Sequence, residues 1–225
     1  MKDKEIKLPR PKAILFDWDN TLVDTWPIIH NALTETFNKF EMKPWTMQET
    51  KKNVHRSMRD SFPDIFGENW KIASEIYYES FLANHLKKLR IIPHSDEVLQ
   101  ILIDTDIYIA VVSNKTGKHL RTEVNHIGWE KYFNKIVGAT DAPEDKPSPA
   151  PVLMALDGSN IKPSEEVWLI GDSITDLQCA VNSGCKPIFF GDSELPKEFL
   201  ETKKDSETTV HLKTHKDLIK VIKDY

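Results

Sequence analysis

The sequence has few of the features that mark secreted, membrane-spanning or nucleic-acid-binding proteins. Its two cysteines, Cys179 and Cys185, are six residues apart and form no CxxC pair, so we expect reduced, packed thiols rather than disulfides or a zinc site. No apolar run approaches the roughly 20 residues of a membrane span, and the charged start MKDKEIKLPRPK has no apolar signal core. The formal net charge of −5 argues against a general nucleic-acid binder. These absences favour a cytoplasmic protein with no membrane or nucleic-acid partner, and leave anionic small molecules open as ligands.

The 225 residues, 40% of them hydrophobic, are enough for one large domain or two modest ones with a packed core. The stretch AILF, residues 13–16, predicts a buried strand, whereas residues 26–90 show helical patterns and no convincing strand. From residue 96 onward, strand patterns alternate with helical ones, ending in a possible strand TVHL and a helix HKDLIKVIKDY. This alternation predicts an α/β fold with a parallel sheet and helices on both faces.

The helical segment interrupts that alternation, so we predict two domains. Residues 1–24 and 91–225 would form a Rossmann-like core, and residues 25–90 an all-helical insertion after the first strand.

Polar residues follow four of the predicted core strands. They are Asp17, Asp19 and Thr21 after AILF; Ser113, Asn114 and Lys115 after IYIAVV; Lys146 after VGA; and Asp172 and Asp176 after VWLI. Because ligands of an open parallel sheet bind beyond the carboxyl ends of its strands, we expect these groups to converge on one site.

A cluster of carboxylates predicts a hard divalent cation, because buried carboxylates repel each other and oxygen ligands select Mg²⁺. We expect Asp17 and Asp172 to be the ligands, one from each strand end. Two carboxylates spaced by one residue, Asp17 and Asp19, suit phosphoryl transfer, in which one group attacks phosphorus and a separate group transfers protons. Lys146 and Ser113 would then bind the phosphoryl oxygens.

In order along residues 13–190, the motifs DWDNT, SN after a strand, KP and GDSITD together resemble the phosphatase branch of the haloacid dehalogenase superfamily, near phosphoglycolate phosphatases. The resemblance implies an aspartyl-phosphate mechanism with Mg²⁺, in which Asp17 is the nucleophile and Asp19 the general acid and base, and a helical cap in place of the insertion. It implies that Asp17, Asp172 and the backbone carbonyl of Asp19 bind the metal, and that Asp176 holds the water shell of the metal. Thr21 and Ser113 would support the phosphate.

The substrate contacts of the cap are less defined by the sequence. The stretch KKNVHRSMRDSF contains Arg56 and Arg59, and arginine suits bidentate recognition of carboxylate or phosphate. The alternative for these residues is a solvated helix face. Likewise, Ser113 and Asn114 are either substrate ligands or ordinary loop residues, and Lys115 is close enough to the site to touch the phosphate.

The leading function is therefore Mg²⁺-dependent hydrolysis of a small phosphorylated metabolite, with phosphoglycolate as the suggested substrate. A phosphomutase or a nucleotidase of the same superfamily stays open, as does the choice between a monomer and a homodimer. A dehalogenase is disfavoured because its chemistry does not need the proton donor Asp19. A non-enzymatic binding module is disfavoured because the acidic set is complete.

Overall fold

The computed structural model describes residues 8–200 and 209–225. The strands are β1 (Ala13–Phe16), β2 (Val23–Asp24), β3 (Arg90–Ile91), β4 (Tyr108–Thr116), β5 (Lys135–Ala139), β6 (Val167–Gly171), β7 (Lys186–Phe190) and β8 (Val210–Leu212). The helices are α1 (Trp26–Lys39), α2 (Met47–Asn53), α3 (Met58–Phe66), α4 (Trp70–Lys88), α5 (Ser95–Ile103), α6 (Gly117–His126), α7 (Ala150–Leu156), α8 (Ile174–Ser183), α9 (Lys197–Leu200) and α10 (His215–Lys223), with 3₁₀ turns at Gly67–Asn69 and Glu130–Tyr132. No described helix combines the length and apolar character that crossing a membrane requires.

Six strands form one sheet in the order β5-β4-β1-β6-β7-β8, and every neighbouring pair is parallel. The predicted α/β class is confirmed, and so are the last strand and the last helix. Strand β1 lies in the interior of the sheet, between β4 and β6. The chain therefore leaves β1 toward one edge and later returns to its other side, which places a crevice at the carboxyl end of β1.

The residues of β1 alternate between two hydrophobic layers, as the period of a strand requires. Ile14 and Phe16 pack in the layer that includes side chains of α5, α6 and α10. Ala13 and Leu15 pack in the layer that includes side chains of α7 and α8. Because both faces of β1 are covered, the strand consists of apolar residues without a polar side. The first residues able to meet a ligand are those just beyond its end.

The inserted helices α1–α4, called the cap from here on, have a hydrophobic cluster of their own. Aromatic residues dominate it, including Phe37, Phe62, Phe66, Tyr77 and Phe81. At the base of the cap, β2 and β3 pair antiparallel through Val23–Ile91 and Asp24–Arg90. This two-residue ribbon was not predicted, because so short a pairing leaves no pattern in the sequence. The exact domain boundaries at residues 24/25 and 90/91 stay predictions.

Two details refine the expectations from sequence. Cys179 and Cys185 are both free and buried, which confirms that they are packed thiols. Strand β4 extends to Thr116, which pairs with Ala139 after a shift of register. Ser113, Asn114 and Lys115 therefore lie in the last part of the strand rather than in a loop after it, in the stretch where the pairing of β4 with β5 is irregular.

Candidate active site

The chain turns sharply after β1 and presents two carboxylates from the turn. The amide of Asp17 donates to the carbonyl of Ile170 at 2.8 Å, which extends the pairing of β1 with β6 by one residue. Trp18 is completely buried, whereas Asp17 and Asp19 on either side of it line a cavity. Asn20 has a φ of 58°, a left-handed conformation that asparagine adopts more readily than most residues. The turn thus anchors an indole in the core between two acids that face the cavity.

Three carboxylates meet at the carboxyl ends of β1 and β6. Oxygen atoms of Asp17, Asp172 and Asp176 lie within 4.8 Å of one another. Asp176 is in the first turn of α8, where its Oδ2 accepts hydrogen bonds from the amide of Ser173 at 3.1 Å and from its hydroxyl at 2.5 Å. A Cβ atom on Gly171 would collide with the carboxylate of Asp176. The glycine of the GDSITD motif is therefore needed for α8 to start this close to the strand.

Lys146 lies between two of these acids, and only 2% of it is exposed. Its Nζ donates to Asp176 Oδ1 at 2.5 Å and to the carbonyl of Val112 at 2.8 Å, and it lies 3.0 Å from Asp17 Oδ1. The side chain of Asn114 accepts from the Lys146 amide and donates to the Lys146 carbonyl, both at 3.0 Å. Asn114, which was predicted to bind substrate, thus positions Lys146 in this structure.

Burial dominates the ionisation of the cluster. It raises the pKa of Asp17 to about 7, against the opposing effect of Lys146. It also raises the pKa of Asp172 well above its usual range, and the charges of Asp176 and Asp17 add to the rise. Burial alone would lower the pKa of Lys146, but the charges of Asp17 and Asp176 outweigh it and raise that pKa. The cluster therefore needs more positive charge than one lysine supplies if all its acids are to be ionised.

The cluster has the properties of a site for a divalent cation. Asp17 Oδ1 is buried and has no hydrogen-bond donor among the described residues, because the nearby Lys146 ammonium makes an ion-pair contact that is not aligned as a hydrogen bond. A carboxylate oxygen that accepts no aligned hydrogen bond, beside a second acid, Asp172, offers the hard ligands that Mg²⁺ prefers. Asp176 is less available as a direct ligand, because both its oxygens already accept hydrogen bonds from the protein.

The two predicted hydroxyl ligands are placed differently. Ser113 lies at the end of β4 and lines the same cavity as Asp17, so the structure brings it to the acidic cluster. Thr21 is fully buried and does not belong to the lining of that cavity. Its hydroxyl has no hydrogen-bond partner in the described part of the chain, and its carbonyl lies 2.8 Å from Nε2 of His215. The roles of Ser113 and Thr21 as substrate ligands stay predictions.

The two predicted cap arginines also diverge. Arg56 lines the cavity and forms an ion pair of 2.6 Å with Asp64, in which both side chains are largely exposed. Arg59 does not line the cavity. Its Nε donates to Asp145 Oδ2 at 2.6 Å, and only 1% of the Asp145 side chain is exposed. Arg59 therefore links the cap to the core, next to Lys146.

The cavity between the cap and the core has a volume of about 760 Å³. Its core wall carries the acids, Ser113 and Lys146. Its cap wall combines aromatic side chains, such as Trp26, Trp45 and Tyr78, with the basic side chains of Lys51, Lys52 and Arg56. A ligand that reaches the acidic cluster thus faces a wall that offers both aromatic surface and positive charge.

A second charged group reaches Asp19, and its key members were not predicted. Lys115 donates to Asp19 Oδ1 at 2.7 Å and to Glu123 Oε2 at 2.6 Å. Glu123 also accepts from Nε1 of Trp18 at 2.7 Å, and its Oε1 lies 2.9 Å from Nδ1 of His85 in the cap. Burial would raise the pKa of Glu123, but Lys115 and these hydrogen bonds together lower it.

The sequence did carry a signal for Glu123. In HLRTEVNHIG, Glu123 follows Leu120 by three residues and precedes Val124 by one, so it lies on the apolar face of α6. Leu120, Glu123 and Val124 are all fully buried. An acid on the buried face of a helix indicates a partner of opposite charge, although the sequence does not show which one.

Comparisons with known proteins agree with this geometry. A family model for haloacid dehalogenase-like hydrolases matches residues 14–190. A protein of Caldanaerobacter subterraneus subsp. tengcongensis named "Putative pyrophosphatase PpaX" is 29% identical over 85% of this chain and 87% of its own length. A phosphoglycolate phosphatase of Psychrobacter arcticus is 27% identical over 76% of this chain and 80% of its own. The crystal structure of a hydrolase of the same superfamily from Ehrlichia chaffeensis is 31% identical, with a TM-score of 0.66, and the match covers 97% of this chain and 98% of that one.

Proposed function

This chain belongs to the haloacid dehalogenase-like hydrolases, and from that premise we propose that it is a Mg²⁺-dependent phosphatase of small phosphomonoesters. The family prediction drawn from the four sequence motifs is confirmed. The observation that carries the proposal is the buried cluster of Asp17, Asp172 and Asp176, with Lys146 beside it and a cavity in front of it. Such a cluster can hold a cation and a phosphoryl group together.

In the proposed reaction, the carboxylate of Asp17 attacks phosphorus, and the bond from phosphorus to the ester oxygen breaks. Asp19 donates a proton to the leaving oxygen, which departs as the alcohol. Asp19, now a carboxylate, then takes a proton from a water molecule that attacks the aspartyl phosphate. Inorganic phosphate leaves and the Asp17 carboxylate is restored.

The other core residues would bind and orient the phosphoryl group. Lys146 and Ser113 are placed to donate to its oxygens, which carry the charge in the transition state. Asp17 and Asp172 would hold Mg²⁺ together with the backbone carbonyl of Asp19, and Asp176 would accept from its water shell. When bound, the ion neutralises charge on the phosphoryl group and on the acids around it.

Phosphoglycolate is the first candidate substrate, because one relative bears the name phosphoglycolate phosphatase and Arg56 lines the cavity near the predicted site. The size of the cavity favours a second candidate. A two-carbon ester would fill only a small part of about 760 Å³, and the aromatic cap wall suits stacking on a base. A nucleoside monophosphate is therefore the alternative, which would make the enzyme a nucleotidase.

The catalytic proposal is tested with the variant Asp17→Asn. Wild-type protein with Mg²⁺ should release phosphate from p-nitrophenyl phosphate, and EDTA should abolish this release. Asp17→Asn should lose activity by at least about 10³-fold, because the amide cannot form the acyl phosphate. The matched control is Asp106→Asn. Asp106 forms an exposed ion pair with Arg10 and precedes β4, so it lies at the amino ends of the strands, away from the site.

Activity of Asp17→Asn at the wild-type level would refute the nucleophile assignment. A wild-type protein that releases no phosphate from any ester in the presence of Mg²⁺ would refute the proposed function itself.

The substrate is tested by comparing kcat/KM for phosphoglycolate, nucleoside monophosphates, sugar monophosphates and pyrophosphate. Preference for nucleoside monophosphates would support the larger ligand that the cavity indicates, and preference for phosphoglycolate the smaller one. A sugar monophosphate that isomerises in the presence of its bisphosphate, without release of free phosphate, would instead support the phosphomutase alternative.

A further inference from the structure

We propose that Lys115 and Glu123, completed by His85 from the cap, form a positioning group for the carboxylate of Asp19. This group would hold the proton-transferring side chain in its working orientation while the cap helix α4 is seated on the core. The inference rests on the proposed function, since it concerns the residue that is proposed to transfer the proton.

Lys115 contacts Asp19 directly. The Lys115 ammonium donates to Asp19 Oδ1 at 2.7 Å, and the Lys115 side chain is only 6% exposed. No described residue makes a hydrogen bond to Asp19 Oδ2, and Asp19 lines the cavity. Lys115 therefore occupies one oxygen and leaves the other for the leaving group or the attacking water.

Glu123 fixes the position of Lys115. The Glu123 carboxylate is fully buried and accepts from Lys115 at 2.6 Å. It also accepts from Nε1 of Trp18 at 2.7 Å, the residue between the two catalytic acids. One carboxylate thus ties down the lysine that orients Asp19 and the backbone segment that carries Asp19.

The cap helix α4 also contacts this group. His85 Nδ1 lies 2.9 Å from Glu123 Oε1, and Nζ of Lys115 lies 5.2 Å from the centre of the Phe81 ring. One turn earlier, the hydroxyl of Tyr78 is 2.6 Å from that of Thr116. Tyr78, Phe81 and His85 recur at the spacing of one face of α4. The same helix face that closes the cap on the core therefore completes the surroundings of Lys115.

The test uses two aryl esters that differ in their need for an acid. Phenyl phosphate has a poor leaving group that needs a proton, whereas 2,4-dinitrophenyl phosphate has a good one that does not. The parameter kcat/KM reports the steps up to departure of the leaving group. Lys115→Met should lower kcat/KM for phenyl phosphate by about 10- to 100-fold, part of the range typical of general acid catalysis, and that for the dinitrophenyl ester by less than about threefold.

Further variants separate positioning from folding. Lys115→Met leaves the buried carboxylate of Glu123 without its cation. The double variant Lys115→Met/Glu123→Gln also removes the charge of Glu123, and it should show the same selective loss. His85→Leu should show a smaller loss in the same direction. The control Lys12→Met removes an exposed lysine–glutamate pair of 2.5 Å with Glu166 and should leave both values unchanged.

Equal losses on the two esters, or no loss in either lysine variant, would overturn the positioning role while leaving the proposed phosphatase intact. A selective loss in the lysine variants with wild-type behaviour of His85→Leu would overturn the part played by the cap. A wild-type protein that hydrolyses neither ester would overturn the proposed function, and this inference with it.

Discussion

The core and the cap hold their charged residues in different ways. In the core, Lys115, Glu123 and Lys146 are buried, and each contacts two or more charged or polar partners. In the cap, the pair Arg56–Asp64 is largely exposed, and the interior is a cluster of aromatic and aliphatic side chains. Groups fixed in a buried site stabilise developing charge without reorganising, whereas exposed side chains of the cap can adapt to a substrate. We therefore expect the core to supply the chemistry and the cap the selectivity.

The two regions meet through a few polar contacts in addition to their apolar packing. They are Arg59 with Asp145, His85 with Glu123, and Tyr78 with Thr116. Two of these three contacts lead toward a proposed catalytic group, since Asp145 precedes Lys146, and Glu123 binds Lys115, which in turn contacts Asp19. The largest effects of substitution should therefore arise in the core, smaller ones at the boundary, and the smallest on the exposed surface of the cap.

The largest effect on stability is expected for Lys146→Met. Removing this buried ammonium leaves Asp17 and Asp176 without their cation, and breaking a buried ion pair costs about 3–5 kcal/mol. The free energy of unfolding, measured by urea denaturation with EDTA present, should fall by that amount, and phosphatase activity should fall by at least about 100-fold.

Lys186→Met is the matched control, because Lys186 pairs at 3.1 Å with a Glu165 side chain that is 61% exposed. It should change the free energy of unfolding by less than about 1 kcal/mol. Similar losses in the two variants would show that the buried cluster is no more dependent on its cation than an ordinary surface pair, and would break the contrast between core and surface.

The sequence predicted the core better than the cap for a physical reason. Strands and helices alternate with clear periods, and the carboxyl ends of parallel strands must share an edge, so the meeting of Asp17, Lys146 and Asp172 followed from topology. The partners of Glu123 did not follow, because which cap side chain faces α6 depends on how α4 is oriented. His85 is one of eight scattered histidines and has no distinguishing neighbours along the chain.

The same reasoning explains why Asn114, Arg56 and Arg59, which were predicted together as substrate ligands, have different contacts in the structure. The positions of all three near the site could be predicted. The hydrogen-bond partners of Asn114 and Arg59 could not be predicted, because they are distant in sequence. Asn114 binds the backbone of Lys146, 32 residues away, and Arg59 binds Asp145, 86 residues away.

The second prediction concerns a buried core residue without an ionic partner. The ring centroid of His215 lies 4.5 Å from that of Phe190, with the two rings tilted by 32°, and its Nδ1 has no partner in the described residues. Burial lowers the pKa of His215 from 6.5 to about 4. Between these values the unfolded chain takes up a proton that the folded protein does not, so stability should fall as pH decreases from 6.5 to 4. The shift corresponds to roughly 3 kcal/mol.

The measurement is the free energy of unfolding at several pH values for wild type, His215→Leu and the control His126→Leu. The variant His215→Leu cannot take up this proton, so its stability should decrease less over the same range, despite a loss of about 1 kcal/mol at neutral pH from its missing contact with Thr21. His126 is exposed on α6, and its variant should keep the wild-type slope. Parallel curves for wild type and His215→Leu would contradict the prediction.

The smallest effects should separate the two cap arginines. Arg59→Met leaves Oδ2 of the buried Asp145 carboxylate without its donor, which costs about 1–3 kcal/mol of stability. Arg56→Met removes an exposed pair with Asp64 and should cost less than about 1 kcal/mol.

If Arg56 contacts substrate, as predicted from the sequence, its variant should raise KM with little change in the free energy of unfolding. Arg59→Met should do the reverse, because its side chain lies at the boundary with the core and outside the cavity. Thermal or urea unfolding, together with KM for the preferred substrate, measures both quantities on the same two proteins. An equal rise of KM in both variants would mean that the arginines act as one substrate clamp and that the Arg59–Asp145 contact opens when substrate binds.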